Sequence, residues 1–359
     1  MFHLWPSLRR AFSLSDKARK LPPCGGWIRG GAMQPAPVRK SGLAVPAVFT
    51  LSIFISASLL FFVQPMFAKM VLPSLGGSPA VWTTAMLFFQ TVLLLGYVYV
   101  HLSVRYLNPR AQVILHLAIW AAALVFLPIT VPSDWHYEPG RPAAVQALGL
   151  FAVGVGLPFA ALSATAPLLQ AWYARTSTRW ADDPYFLYSA SNLGSLLSLL
   201  AFPFVAEPLL GVHAIGVGWA AFYFLLGPGL LACGFSMGPG KTMPLPAMAK
   251  TKDHALSIRQ IVGWLFMAFI PSSLMLSVTS TVSTDIGSFP LIWIIPLALY
   301  LLTFVFTFSG KSWPDHPLIE KLFLIFLIYT LYIYAGGLTG RLGWLPFGVL
   351  ICFFFLAAL

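Results

Sequence analysis

Gln64, Gln90, His116, Gln146, Gln170 and Asn192 fall inside long apolar runs. An amide or imidazole in hydrocarbon is costly unless it bonds another helix or a ligand, so each marks an interhelical tie or a binding site. The tie is the commoner role. His116 alone among these titrates near neutrality, and a packed, neutral ring is its expected state. Lys69, Asp183, Glu207 and Asp285 stand near the ends of apolar runs, where interfacial anchoring is expected. Asp182-Asp183-Pro184-Tyr185-Phe186 reads as a helix start, with acids favouring the N-terminal dipole and proline in the first turn. No acid pair, nucleophile–base set or metal-ligand cluster occurs at a recognisable spacing. Cys24, Cys233 and Cys352 are far apart and make neither a disulfide framework nor a zinc pattern. Gly238-Pro239-Gly240-Lys241-Thr242 resembles the end of a phosphate-binding loop, but Phe235 stands where the first glycine must be and no strand precedes it. Gly154-Val155-Gly156 lacks the third glycine of a dinucleotide fingerprint. No catalytic residue, metal or cofactor is expected.

The elements that position these residues are membrane helices. Apolar residues make up 58% of the chain and charged residues 9%. Soluble domains carry about 25% charged residues, so a water-facing surface cannot be built here. The expected class is an all-α, polytopic transmembrane bundle. Ten apolar segments are read at about 43–64, 80–104, 111–130, 143–172, 185–206, 213–236, 260–283, 289–309, 321–338 and 342–359, each near the roughly 20 residues that span hydrocarbon. The first helix runs into Gln64-Pro65, Lys69 follows within about a turn, and Gly76-Gly77-Ser78-Pro79 turns the chain into the second.

Threading these segments alternately, every Lys and Arg except Lys69, Arg141 and Arg341 falls on one side together with the N-terminus. Cytoplasmic loops carry the excess of Lys and Arg, so the N-terminus is expected in the cytoplasm of a bacterial inner-membrane protein. The net charge of +11 therefore speaks for anchoring loops and the lipid bilayer as partner, not for nucleic acid. Residues 1–42 are polar, basic and rich in Pro and Gly, and are expected to be a disordered cytoplasmic tail ahead of the membrane domain 43–359. Met33 offers an alternative start, which would make residues 1–32 an extension. The last segment stops at Leu359 without a polar tail, which predicts a longer parent chain.

Pro158, Pro167, Pro203, Pro271 and Pro296 interrupt helices, a habit of transporters and of kinked bundles alike. Ala152, Gly156, Ala160 and Ala164 recur every fourth residue, as do Ala190, Gly194 and Ser198. Both stripes are expected to be buried helix contacts, with leucine at Gly156 or Gly194 destabilising. Gly77-Ser78-Pro79-Ala80-Val81-Trp82 is echoed by Gly287-Ser288-Phe289-Pro290-Leu291-Ile292-Trp293, which would pair the first helix with the seventh in a parallel repeat of six.

Val63-Gln64-Pro65-Met66-Phe67-Ala68-Lys69, followed by Leu75 through Trp82, resembles the membrane part of bacterial spermidine-synthase-like fusion proteins, some described as fused major-facilitator/spermidine-synthase proteins. Asp183-Pro184-Tyr185-Phe186-Leu187-Tyr188-Ser189-Ala190-Ser191-Asn192-Leu193-Gly194-Ser195 is similar to that family too. So is Thr284-Asp285 with Pro290 through Phe304. The resemblance spans roughly residues 43–359. It implies a C-terminal aminopropyltransferase-like domain, with a Rossmann sheet for decarboxylated S-adenosylmethionine, in relatives. Nothing of that domain occurs up to Leu359, so its enzymatic role is not carried over.

The resemblance, the broken helices and the repeat together predict a loosely major-facilitator-like module that transports or binds a small molecule linked to polyamine metabolism. Gln64, Lys69, Trp82, Asp183, Tyr185, Asn192 and Asp285 are the candidate binding residues. Acids at membrane depth look scarce, which argues against direct carriage of a polyamine. The alternative is an anchor or scaffold for a separate or lost synthase-like domain.

Overall fold

The computed structural model describes residues 44–75, 79–131, 135–138, 140–176, 185–237, 257–286, 290–308, 316–336 and 345–358. The tail expected to be disordered lies outside these, as do Asp183 and the Gly238–Thr242 loop.

Ten helices are found among the described residues. They are α1 (Ala44–Leu75), α2 (Pro79–Tyr106), α3 (Pro109–Ala123), α4 (Ala143–Phe151 and Leu157–Tyr173, joined by a π turn, Ala152–Gly156), and α5 (Tyr185–Ala201, continued by a π turn, Phe202–Ala206, and a last turn, Glu207–Leu209). Then come α6 (Val212–Ser236), α7 (Ile258–Ile286), α8 (Pro290–Phe308), α9 (His316–Ala335) and α10 (Leu345–Ala358). Eight of these segments are long and apolar enough to cross a membrane; Ile294–Phe304 and Leu345–Ala357 are shorter apolar stretches. Large apolar residues such as Leu94, Leu95, Phe204, Phe224 and Leu265 face outward, as hydrocarbon requires and water would forbid.

α1 is the hub. Its 32 residues continue straight through Pro65 and Pro73, so the expected stop at Gln64-Pro65 is corrected and Lys69 lies inside the helix. A proline forfeits one backbone hydrogen bond, and the helix continues through both of them. Gln64 Nε2 donates to the Leu60 carbonyl at 3.3 Å, and Trp219 Nε1 of α6 donates to the Leu59 carbonyl at 3.1 Å. α1 packs on α5, α6, α4 and α2. The result is a six-helix lobe filled by Phe49, Ile53, Phe67, Phe151, Phe159, Trp172, Tyr173 and Tyr223. T-shaped contacts of Phe151 with Phe67 and Phe89 hold α4 against α1 and α2.

α7–α10 form a second lobe around Met275, Val278, Leu350 and Phe354. Its packed pairs α7–α8, α7–α10, α8–α10 and α9–α10 reproduce the adjacency of α1–α2, α1–α4, α2–α4 and α3–α4 in the first lobe. The lobes meet chiefly where α5 packs on α8, through Leu199, Ile294 and Leu301. Most of α7 from Ile258 to Phe269 is exposed.

The two small-residue stripes fare differently. Gly194 holds: a Cβ there would stand 2.6 Å from the Phe54 carbonyl oxygen of α1, and Ser58 Oγ donates to the Gly194 carbonyl at 3.2 Å. The α4 stripe does not hold as one face. Ala152 is exposed, Gly156 and Ala160 are half-buried, and only Ala164 is buried. The π turn adds a residue to the coil and rotates one part of the stripe away from the other. The close approach falls on Gly154, whose Cβ would stand 2.4 Å from the Phe67 ring, whereas Gly156 has only ordinary contacts at 3.8 Å.

Candidate functional site

Polar groups gather at both ends of the first lobe. At one end, Arg110 of α3 lines a cleft with Gly234 and Met237 of α6, and Arg175, just past α4, donates toward Gln112 at 3.5 Å. Gln112 Oε1 also accepts from Trp172 Nε1 at 3.1 Å, and Gln112 Nε2 donates to the Leu107 carbonyl at 2.8 Å. One turn deeper, His116 Nε2 and Thr165 Oγ1 are 3.1 Å apart, with the Trp172 ring edge-on to the imidazole. His116 is buried and its Nδ1 has no protein partner. This cluster ties α3 to α4, the bland role expected of His116. Gln112 is not legible in the sequence, because one glutamine in the first turn of a helix carries no spacing signal. Burial pushes the Arg175 guanidinium down from its ordinary value.

At the opposite end, Lys69 of α1 forms an ion pair with Glu207 of α5. Both side chains are about one-third exposed, at 33% and 27%. The π turn Phe202–Ala206, which contains Pro203, immediately precedes Glu207. Lys69 also lines a cavity of about 440 Å³ with Pro73, Ile129, Thr130, Val212 and His213. A smaller space beneath the pair is walled by Met66, Phe202, Leu210 and Ile215. The two residues, expected as interfacial anchors, form a pair that joins two helices, with Lys69 at the rim of a cavity. Glu207 also supplies a half-buried carboxylate where acids looked scarce.

The other candidates do not join this pair in any described contact. Gln64 spends its amide on its own helix. Asn192 sits half-buried on α5 with its Nδ2 buried and without a hydrogen-bond partner. Trp82 is in α2, Tyr185 opens α5 and Asp285 lies in the last turn of α7, but their side chains, like all of Asp183, fall outside the described residues. Gln146 caps the Glu138–Arg141 turn by donating to both carbonyls and accepting from the Glu138 amide. No group of His, Cys, Asp and Glu able to hold a metal occurs among the described residues.

Helices greasy on their outer faces and long enough to span hydrocarbon define an integral membrane protein that crosses the bilayer many times. Compared with protein families, characterised proteins and solved structures, the chain matches none. The resemblance to the spermidine-synthase-like fusion family thus rests on the three sequence motifs alone.

Proposed function

We propose that this chain is a membrane module that binds a small cationic amine at Glu207 and carries it across the bilayer, as expected for a partner of polyamine metabolism. The observation behind this reading is the Lys69–Glu207 pair beside a cavity at one end of the first lobe. A carboxylate that already holds one primary ammonium, from Lys69, can exchange it for another of the same chemistry. The two π turns support the reading, because π turns concentrate at functional sites.

Uptake of labelled spermidine into proteoliposomes tests it. The wild-type chain is expected to take up label, and Glu207→Gln to lose about tenfold or more, since a hydrogen bond to a charged group is worth roughly 1.5–3 kcal/mol. Neither uptake nor binding by the wild type would leave the scaffold reading.

The site faces the periplasm in this proposal. The Arg105, Arg110 and Arg175 end is cytoplasmic, together with the N-terminus, and the membrane is the bacterial inner membrane. Reporter fusions in the Arg141 and Lys241 loops are expected on opposite sides. Both on one side would overturn the orientation.

A further inference from the structure

The Lys69–Glu207 pair has an apolar annex. A groove of about 370 Å³ runs between α1, α5 and α6, and Leu210 and Ile215 wall both this groove and the small space under the pair. From Ala214 to Phe222 it follows α6 over nine residues, roughly 12 Å at the helical rise. Its polar groups are Ser58, Ser198 and the Trp219 indole, and all three already donate, to the carbonyls of Gly194, Ser195 and Leu59. The groove therefore offers no free donor within an otherwise apolar lining, and hydrocarbon is the chemistry that fills it. The flanking Leu197 and Phe222 are exposed, so it opens sideways toward lipid.

We infer that Glu207 and this groove together hold an amphiphile: one hydrocarbon chain ending in a primary ammonium. The inference rests on reading Glu207 as an amine site, and it names the class of amine. Charge decides the head group. Glu207 already pairs with an alkylammonium, the Lys69 side chain, so a ligand ammonium replaces like with like. An anionic head would meet the carboxylate instead. Shape decides the tail, because the groove begins at Ala206, Leu210 and Ile215, next to the pair, and opens toward the bilayer-facing side of the bundle.

The test uses the full chain in nanodiscs, with saturable binding read by native mass spectrometry. The probes are dodecylamine, dodecanol and spermidine. A Cβ at Gly218 meets open space, so Gly218→Phe fills the groove without a backbone clash. Ala214→Phe serves as a second filling variant should Gly218→Phe fail to fold. Wild type is expected to bind one dodecylamine per chain at least tenfold more tightly than either other probe. Groove filling should remove that advantage and leave spermidine binding unchanged. Glu207→Gln should weaken both amines, and Lys69→Met should tighten both. Dodecylamine binding no better than spermidine, or unaffected by groove filling, overturns the amphiphile while the amine site stands. Dodecanol binding as well as dodecylamine reduces the groove to an ordinary lipid-tail contact and overturns it too. If neither amine binds the wild type, the amine site and the amphiphile fall together.

Discussion

Gly194→Leu is expected to be the most damaging single change in the first lobe, costing about 3 kcal/mol, the upper range of overpacking penalties. The reason is the identity of the neighbour. A Cβ at Gly194 would stand 2.6 Å from the Phe54 carbonyl oxygen and 3.0 Å from Ser58 Oγ. A side chain can rotate away from such a clash, but a carbonyl on the hub helix cannot. α5 must therefore move off α1, and the Ser58 hydrogen bond to the Gly194 carbonyl goes with it. Loss of monodisperse material, or a clear fall in melting temperature in detergent, is the measurement. Gly156→Ala provides the contrast. Its nearest contacts are ordinary, at 3.8 Å, and alanine exceeds glycine in helix propensity by about 1 kcal/mol, so that variant should melt at or above the parent. Parental melting of Gly194→Leu would remove the close α1–α5 crossing from the account.

Lys69→Met and Glu207→Gln are each expected to cost about 2 kcal/mol of stability, and the double variant less than their sum. At 33% and 27% exposure the pair is too wet for the penalties of a fully buried charge and too dry for the near-zero value of a surface bridge. Removing one partner leaves the other partly desolvated and uncompensated. Removing both restores neutrality, so a double-mutant cycle of melting temperatures should show positive coupling. Strictly additive losses would mean that the two charges do not sense one another. Lys69→Met separates stability from binding: it is expected to melt earlier and yet bind amines more tightly.

The helices themselves were readable from the chain because their signal is compositional. About twenty apolar residues between basic loops can hardly be anything else, and the structure returns ten helices near the expected places. What escaped was set by partners distant in sequence. α1 reads as ending at Pro65 only while its partners are ignored, since its packing against α5, α6 and α4 outweighs one lost backbone hydrogen bond. The α4 stripe reads as one face only while the helix keeps a constant pitch, and the π turn at Ala152–Gly156 is invisible to a fourfold repeat. Lys69 was legible as a candidate, but its relation to Glu207 was not. The two are separated by 138 positions and brought together by a second π turn. Asn192 stands where the sequence put it, on the α5 interior, with no described group to show what its amide serves.

The uneven division of the hydrophobic interior has a thermodynamic consequence. The first lobe owns a broad, continuous core, the second is filled by four buried residues among those described, and the seam between them rests on a few aliphatic contacts. Cooperativity in unfolding requires that losing one part raise the free energy of the rest by much more than RT. A seam this thin does not impose that. Calorimetry is thus expected to resolve two transitions, and a single one whose calorimetric and van't Hoff enthalpies agree would show that the seam couples the lobes.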